Sequence, residues 1–151
     1  MTGGPSHTSE SSTFDIGTLL RELDAIFEAQ QGPTHAEPHL VAGLETAQSL
    51  GDSGAVLTIL NELTGFYRVT SAHPAAVATA RRAMALAQEL GLEGSDAYAT
   101  TLINAATALR SAGEYEEALA LYRQALATAQ ATMSPRDRRI AALHNNLSML
   151  F

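Results

Sequence analysis

Apolar and small residues recur along this chain at intervals of three and four, most clearly between Ala99 and Leu126 in ATTLINAATALRSAGEYEEALALYRQAL. Leu102, Ala105, Ala106 and Leu109 fall on one face of a helix. Ser111-Ala112-Gly113 ends that helix, because Gly113 can take the positive φ that a helix C-terminus often needs. Glu114, Glu116 and Glu117 then occupy the first turn of the next helix, where its dipole favours acids. The second helix is expected to bury Ala118, Leu119, Tyr122, Ala125 and Leu126, its alanines letting the two backbones approach closely. A connection this short makes the two helices antiparallel.

The same pattern returns when the chain is shifted on itself. A shift of 42 residues lays Leu60, Leu63, Thr64 and Tyr67 on Leu102, Ala105, Ala106 and Leu109, and Ala76, Ala80 and Ala83 on Ala118, Tyr122 and Ala125. The opposite shift brings in His144, Leu147, Ser148 and Phe151, and a further shift of 40 finds Leu20, Leu23, Asp24 and Phe27, then Ala36, Leu40 and Gly43. Three and a half units result, about residues 17–52, 57–92, 99–131 and the half unit 135–151. The first helix is predicted over 13–30, with Leu19, Leu20, Leu23, Ile26 and Phe27 inward and Gln31-Gly32-Pro33 closing it. Thr34 and Glu37 have the form of a capping box for the second, which runs to Leu50. Asp52 or Ser53 caps a third, to about Thr70, in which Phe66 and Tyr67 are the heaviest packing group. His73-Pro74 starts a fourth helix, to Leu90, and Thr132-Met133-Ser134-Pro135 stops one helix and caps a last one, with Asp137 in its first turn, reaching Phe151.

Small residues at the helix crossing, the aromatic Tyr122 four residues after Ala118, and the GEYEEAL turn resemble the tetratricopeptide repeat. The 40- to 42-residue spacing, with asparagines in LINAATAL and HNNLSML, resembles the longer repeats of the kinesin light chain type over residues 17–151. Departures are plain: no unit has the family's tryptophan, Asp24 and Thr64 replace a small residue, and Leu40 and Ala80 stand where an aromatic is usual. The resemblance implies an all-α fold, a right-handed superhelical α-solenoid of antiparallel helix pairs with about seven helices. It also implies that ligands contact the first helices of successive units, which line the concave face. In this chain that face would hold Arg21, Asn61, Arg68, Asn104, Thr107, Arg110, Asn145 and Asn146. An asparagine amide can donate to and accept from an extended backbone at once, and the arginines can hold carboxylates. Each is weighed against being an ordinary solvated polar residue.

Composition narrows the function. A formal charge of −7, with 16 acids against nine bases, disfavours nucleic acid as the partner. All nine bases are arginine, a bias that points to a GC-rich bacterial genome. Zero cysteines remove disulfides and thiolate chemistry and fit a cytoplasmic setting. Residues 1–12, MTGGPSHTSESS, read as a disordered tail with no apolar run for a signal peptide, and no stretch approaches a membrane span. No G-x-S-x-G, P-loop or H-E-x-x-H pattern is present, so no enzyme, cofactor or metal is expected. His35 and His39 have ligand spacing but no third ligand. Arg81, Arg82, Arg136, Arg138 and Arg139 read as a charged helix face rather than an anion patch.

These features predict a non-enzymatic module that binds a protein or peptide in the concave groove. The last helix lacks a hairpin partner, leaving Leu143, Leu147, Leu150 and Phe151 as an open apolar flank. Either the chain is part of a longer array, or that flank drives a homodimer and the domain is a self-associating scaffold. The sensor portion of a larger bacterial regulator is a third alternative, resting on family analogy.

Overall fold

Four helix starts share one device. In the computed structural model, which describes residues 14–29 and 33–149 without the side chains of 33 and 34, a side-chain oxygen caps α1 (Ile16–Glu28), α3 (Ser53–Val69), α5 (Asp96–Ser111) and α7 (Arg138–Ser148). Asp15 accepts from the Thr18 N–H at 3.0 Å and Asp52 from that of Ala55 at 3.1 Å. Ser95 accepts from Tyr98 at 3.2 Å and Asp137 from Arg139 at 2.9 Å. Asp137 is therefore the cap of α7 rather than a first-turn residue. The three intervening helices start differently. α2 (Pro33–Leu50) opens on a proline, so Thr34 lies inside the first turn and out of register for the expected capping box. α4 (His73–Glu89) and α6 (Tyr115–Thr132) leave directly from a tight turn and have no side-chain cap.

Helix ends are equally uniform. The N–H groups of Asp52, Ala72, Leu92 and Glu114 donate to the carbonyls of Ala47, Tyr67, Ala87 and Leu109 at 3.0, 2.8, 3.0 and 2.8 Å. This six-residue closure, the Schellman motif, ends α2 to α5 and needs a left-handed residue just before the donor. Glycine fills that place in three cases, as Gly113 does at φ 87°, but in α3 it is Ser71 at φ 62°. The change of spacing from 40 to 42 has a local cause. Leu102 lies eleven residues beyond Gly91 where Leu60 lies nine beyond Gly51, and the longer link before α5 holds Gly94, which also takes a positive φ.

The chain divides into two compact units, residues 1–59 and 60–151, with α3 running across the division. In the first, Leu19 and Leu23 of α1 are buried. Gly43 of α2 makes room for Leu19, since a Cβ there would lie 2.9 Å from its Cδ1. His39 Nε2 donates to the Leu19 carbonyl at 3.1 Å, and the Phe14 N–H donates to Asp52 at 3.0 Å. In the second unit α5 packs on α4 and α6, and α6 on α7. Ala76 and Ala80 of α4 meet Ala105 and Ala108 of α5, with Tyr67, Met84 and Leu121 against them. Phe66 and Tyr67 meet edge-on, with ring centroids 5.6 Å apart.

One stripe recurs in every second helix: Ala36-Leu40-Gly43-Ala47, Ala76-Ala80-Ala83-Ala87 and Ala118-Tyr122-Ala125-Ala129, all buried. Some expected core positions lie elsewhere. Leu119 and Leu126 are half-buried, while Phe27, at a helix end, is 48% exposed. The expected apolar flank of α7 is also corrected. Ile140, Leu143 and Leu147 share one helical face, and that face is buried, Leu143 fully and Leu147 to 8% exposure. Leu150 and Phe151, the tail 1–12 and the Gln31-Gly32 closure lie outside the described residues. The described residues form seven helices and no strand, and none of these helices is long and apolar enough to cross a membrane.

Candidate functional site

Between their buried positions, the first helices of the second unit carry half-buried polar side chains: Asn61 and Arg68 on α3, Asn104, Thr107 and Arg110 on α5, and Asn146 on α7 beside the exposed Asn145. Several of these bridge one first helix to the next. Asn61 Nδ2 donates to Thr101 Oγ1 at 3.1 Å, while the Thr101 hydroxyl donates to the Ala97 carbonyl at 2.9 Å. The other amide atom, Asn61 Oδ1, is buried without a partner among the described residues. One repeat further on, Arg110 Nη1 donates to Asn146 Oδ1 at 3.1 Å.

Arg68 and Asn104 stand at the same 36-residue offset as Arg110 and Asn146. The first pair is not bonded: neither side chain has a hydrogen bond or ion pair among the described residues. A guanidinium and an amide thus remain open at a repeat position where the next pair is closed on itself. Together they offer donors in a fork and one further amide donor and acceptor, which suits a carboxylate or a peptide carbonyl.

Thr107 and Arg21 stand apart from this set. The Thr107 hydroxyl lies 2.8 Å from the Ile103 carbonyl, to which it donates, and 2.7 Å from the Tyr122 hydroxyl on α6, so it fastens a hairpin. Arg21 belongs to the first unit, where its Nη2 donates to Thr18 Oγ1 at 3.0 Å. Of the two histidines at ligand spacing, His35 is exposed, while His39 is committed to the Leu19 carbonyl and lies 3.7 Å from Glu22. No group of three or more metal-ligating side chains occurs among the described residues.

Two further arginines, Arg81 and Arg139, meet acids. Arg81 clasps Glu117 with both guanidinium nitrogens, at 2.7 and 2.9 Å, joining α4 to α6. That contact holds the Glu117 carboxyl below, and the Arg81 guanidinium above, their ordinary values. Arg139 grips the cap residue Asp137 at 2.8 and 3.0 Å, and reaches Thr100 at 3.3 Å and Asp96 at 3.7 Å on α5. The hydrogen bonds from the Arg139 side chain and backbone lower the Asp137 carboxyl to about 2. Thr100, Thr101 and Arg139 were not among the expected site residues. Their signal was available as polar residues 39 to 40 apart on successive first helices.

Antiparallel helical hairpins in one register, with small residues at each crossing and a polar row on successive first helices, define a helical repeat protein. The tetratricopeptide repeat family model matches residues 55–131, just over half of the chain, and the chain belongs to that family. Among solved structures it is similar to the crystal structure of BtubC (BKLC) from P. vanneervenii, a kinesin light chain-like repeat protein. The two are 28% identical with a TM-score of 0.79, over 89% of this chain and 55% of that one, so this chain spans little more than half the length of its relative. No match was found among curated proteins.

Proposed function

We propose that the chain is a non-enzymatic, cytoplasmic interaction module that binds an extended peptide or a partner helix through the polar row of α3, α5 and α7. The observation that carries this reading is the open pair Arg68 and Asn104, set against the closed pair Arg110 and Asn146 at the same offset. In a ligand complex Arg68 takes a carboxylate or carbonyl oxygen and Asn104 the adjoining backbone. Asn61 Oδ1, buried and unpaired, accepts a donor from the same segment. Membership of the repeat family and the likeness to BtubC support an interaction role in general.

Selection of a random peptide library on the whole chain tests it. Enriched peptides are expected to lose affinity by about ten- to hundredfold for Arg68→Ala, the range for hydrogen bonds to a charged group, and by about two- to tenfold for Asn104→Ala, a neutral amide. Arg82→Ala, an exposed change on α4, should leave them unaffected. Enriched peptides that bind all variants alike would refute the site.

A further inference from the structure

Charge is not shared evenly along the chain. Residues 1–59 hold eight of the 16 acids and one of the nine arginines, and residues 60–151 hold eight of each, so the formal charge of −7 belongs to the first unit. In the second unit opposite charges meet, as in Arg81 with Glu117 and Arg139 with Asp137. In the first unit the single arginine is drawn to the N-terminal end of α1. There Arg21 donates to Thr18 and its charge acts on Asp15. Asp24, Glu28 and Glu45 have no ion-pair partner among the described residues.

Two of these acids flank an apolar position. Leu20, Asp24, Phe27 and Glu28 share one face of α1 by helical spacing. Leu20 is half-buried, the two acids are exposed, and Phe27 is 48% exposed. The same face is covered in the other hairpins. Leu60 and Thr64 of α3 and Leu102, Ala106 and Leu109 of α5 are buried, and Tyr67 packs on the alanine cluster of α4 and α5. A face that the repeat uses for packing is thus left open on α1 and edged with acids.

We propose that this face of α1 docks a Lys/Arg-rich amphipathic helix of another protein, an apolar side chain covering Phe27 while cations meet Asp24 and Glu28. Phe27 is the desolvated centre of the contact, and the carboxylates form its rim and steer the encounter. Residues 1–13, which lead into α1, contain no arginine or lysine and so do not supply these cations. This surface is independent of the Arg68 and Asn104 pair, and neither reading depends on the other.

The test uses a fluorescein-labelled amphipathic peptide of leucine and lysine, about four helical turns long, titrated with the whole chain and followed by anisotropy. A leucine–glutamate peptide of the same spacing is the reference. The lysine peptide alone is expected to bind, saturably and one-to-one, and more weakly as salt rises. Phe27→Ala should weaken it about tenfold, and Asp24→Asn and Glu28→Gln about two- to fivefold each. Glu45→Gln makes the same charge change on α2, two residues from the Gly43 that faces Leu19 and hence turned away from α1, and should leave binding unchanged. All four side chains are exposed, so melting curves should match the parent and separate a lost contact from a lost fold. No binding of the lysine peptide, or equal binding of the glutamate peptide, overturns the proposal. Equal weakening by Glu45→Gln with none by Phe27→Ala overturns it in favour of unspecific attraction to the acidic unit. A peptide-free dimer that Phe27→Ala dissociates overturns it in favour of a second copy of this chain.

Discussion

At the scale of single residues, the repeat rests on a few positions where geometry leaves little choice. Ser71 holds a left-handed φ of 62° where the equivalent turns use glycine. Because only glycine takes that conformation without a Cβ penalty, Ser71→Gly should stabilise the chain by about 0.5 to 1 kcal/mol in a thermal melt. Two helical glycines should respond oppositely to alanine. At Gly65 a Cβ meets nothing within 4 Å, so Gly65→Ala should gain about 0.5 to 1 kcal/mol from helix propensity. At Gly43 the Cβ would press on Leu19, and the overpacking should outweigh that gain by about 1 kcal/mol. Thr107→Val removes the partner of the fully buried Tyr122 hydroxyl and should cost about 1 to 3 kcal/mol. The cap residue Asp137 makes a prediction about pH. Its folded value, about 2, lies below the ordinary 3.8, so its stabilisation is present above about pH 4 and is lost as pH falls through about 2. A carboxyl chemical-shift titration by NMR should show that low midpoint, and Asp137→Asn should flatten the fall in melting temperature over the same window.

At the scale of elements, the hairpin is the unit that the pattern encodes. The stripe from Ala118 to Ala129 sits at the crossing of α5 and α6, so Ala118→Leu should lower stability by about 1 to 3 kcal/mol. A melt unchanged from the parent would contradict the register. Most of this level was legible in the sequence, because buried positions at offsets of four and seven repeat three times and the turn at Gly113 announces itself. Other features were hidden for physical reasons. A periodic pattern says which residues share a face but not how far a neighbour extends over it, so Phe27, at a helix end, came out exposed. For the same reason the Leu143 and Leu147 face of α7 gave no sign that it would be buried. The candidate site was legible in part. Spacing pointed to Arg110 and Asn146, but not to the bond between them, which depends on neighbouring first helices. Nor could it show that Thr107 turns to Tyr122 rather than to a ligand.

At the scale of the whole molecule, the two units differ in charge and in what they leave open. The second joins opposite charges at Arg81 with Glu117 and Arg139 with Asp137, and keeps a polar row in which Arg68 and Asn104 are unbonded among the described residues. The first concentrates acids around an exposed aromatic. The two proposed surfaces lie on different helices, so substitutions at Phe27 and at Asn104 should each remove one kind of binding and leave the other.

The most direct test of the central claim is an NMR titration of the isotope-labelled chain with a library-selected peptide, reading backbone amide shifts residue by residue. Changes are expected to centre on Arg68 and Asn104 and to extend along α3, α5 and α7, and to need more peptide to saturate in Asn104→Ala while the spectrum stays folded. Shifts confined to α4 and α6, or an unchanged titration in that variant, would contradict that claim.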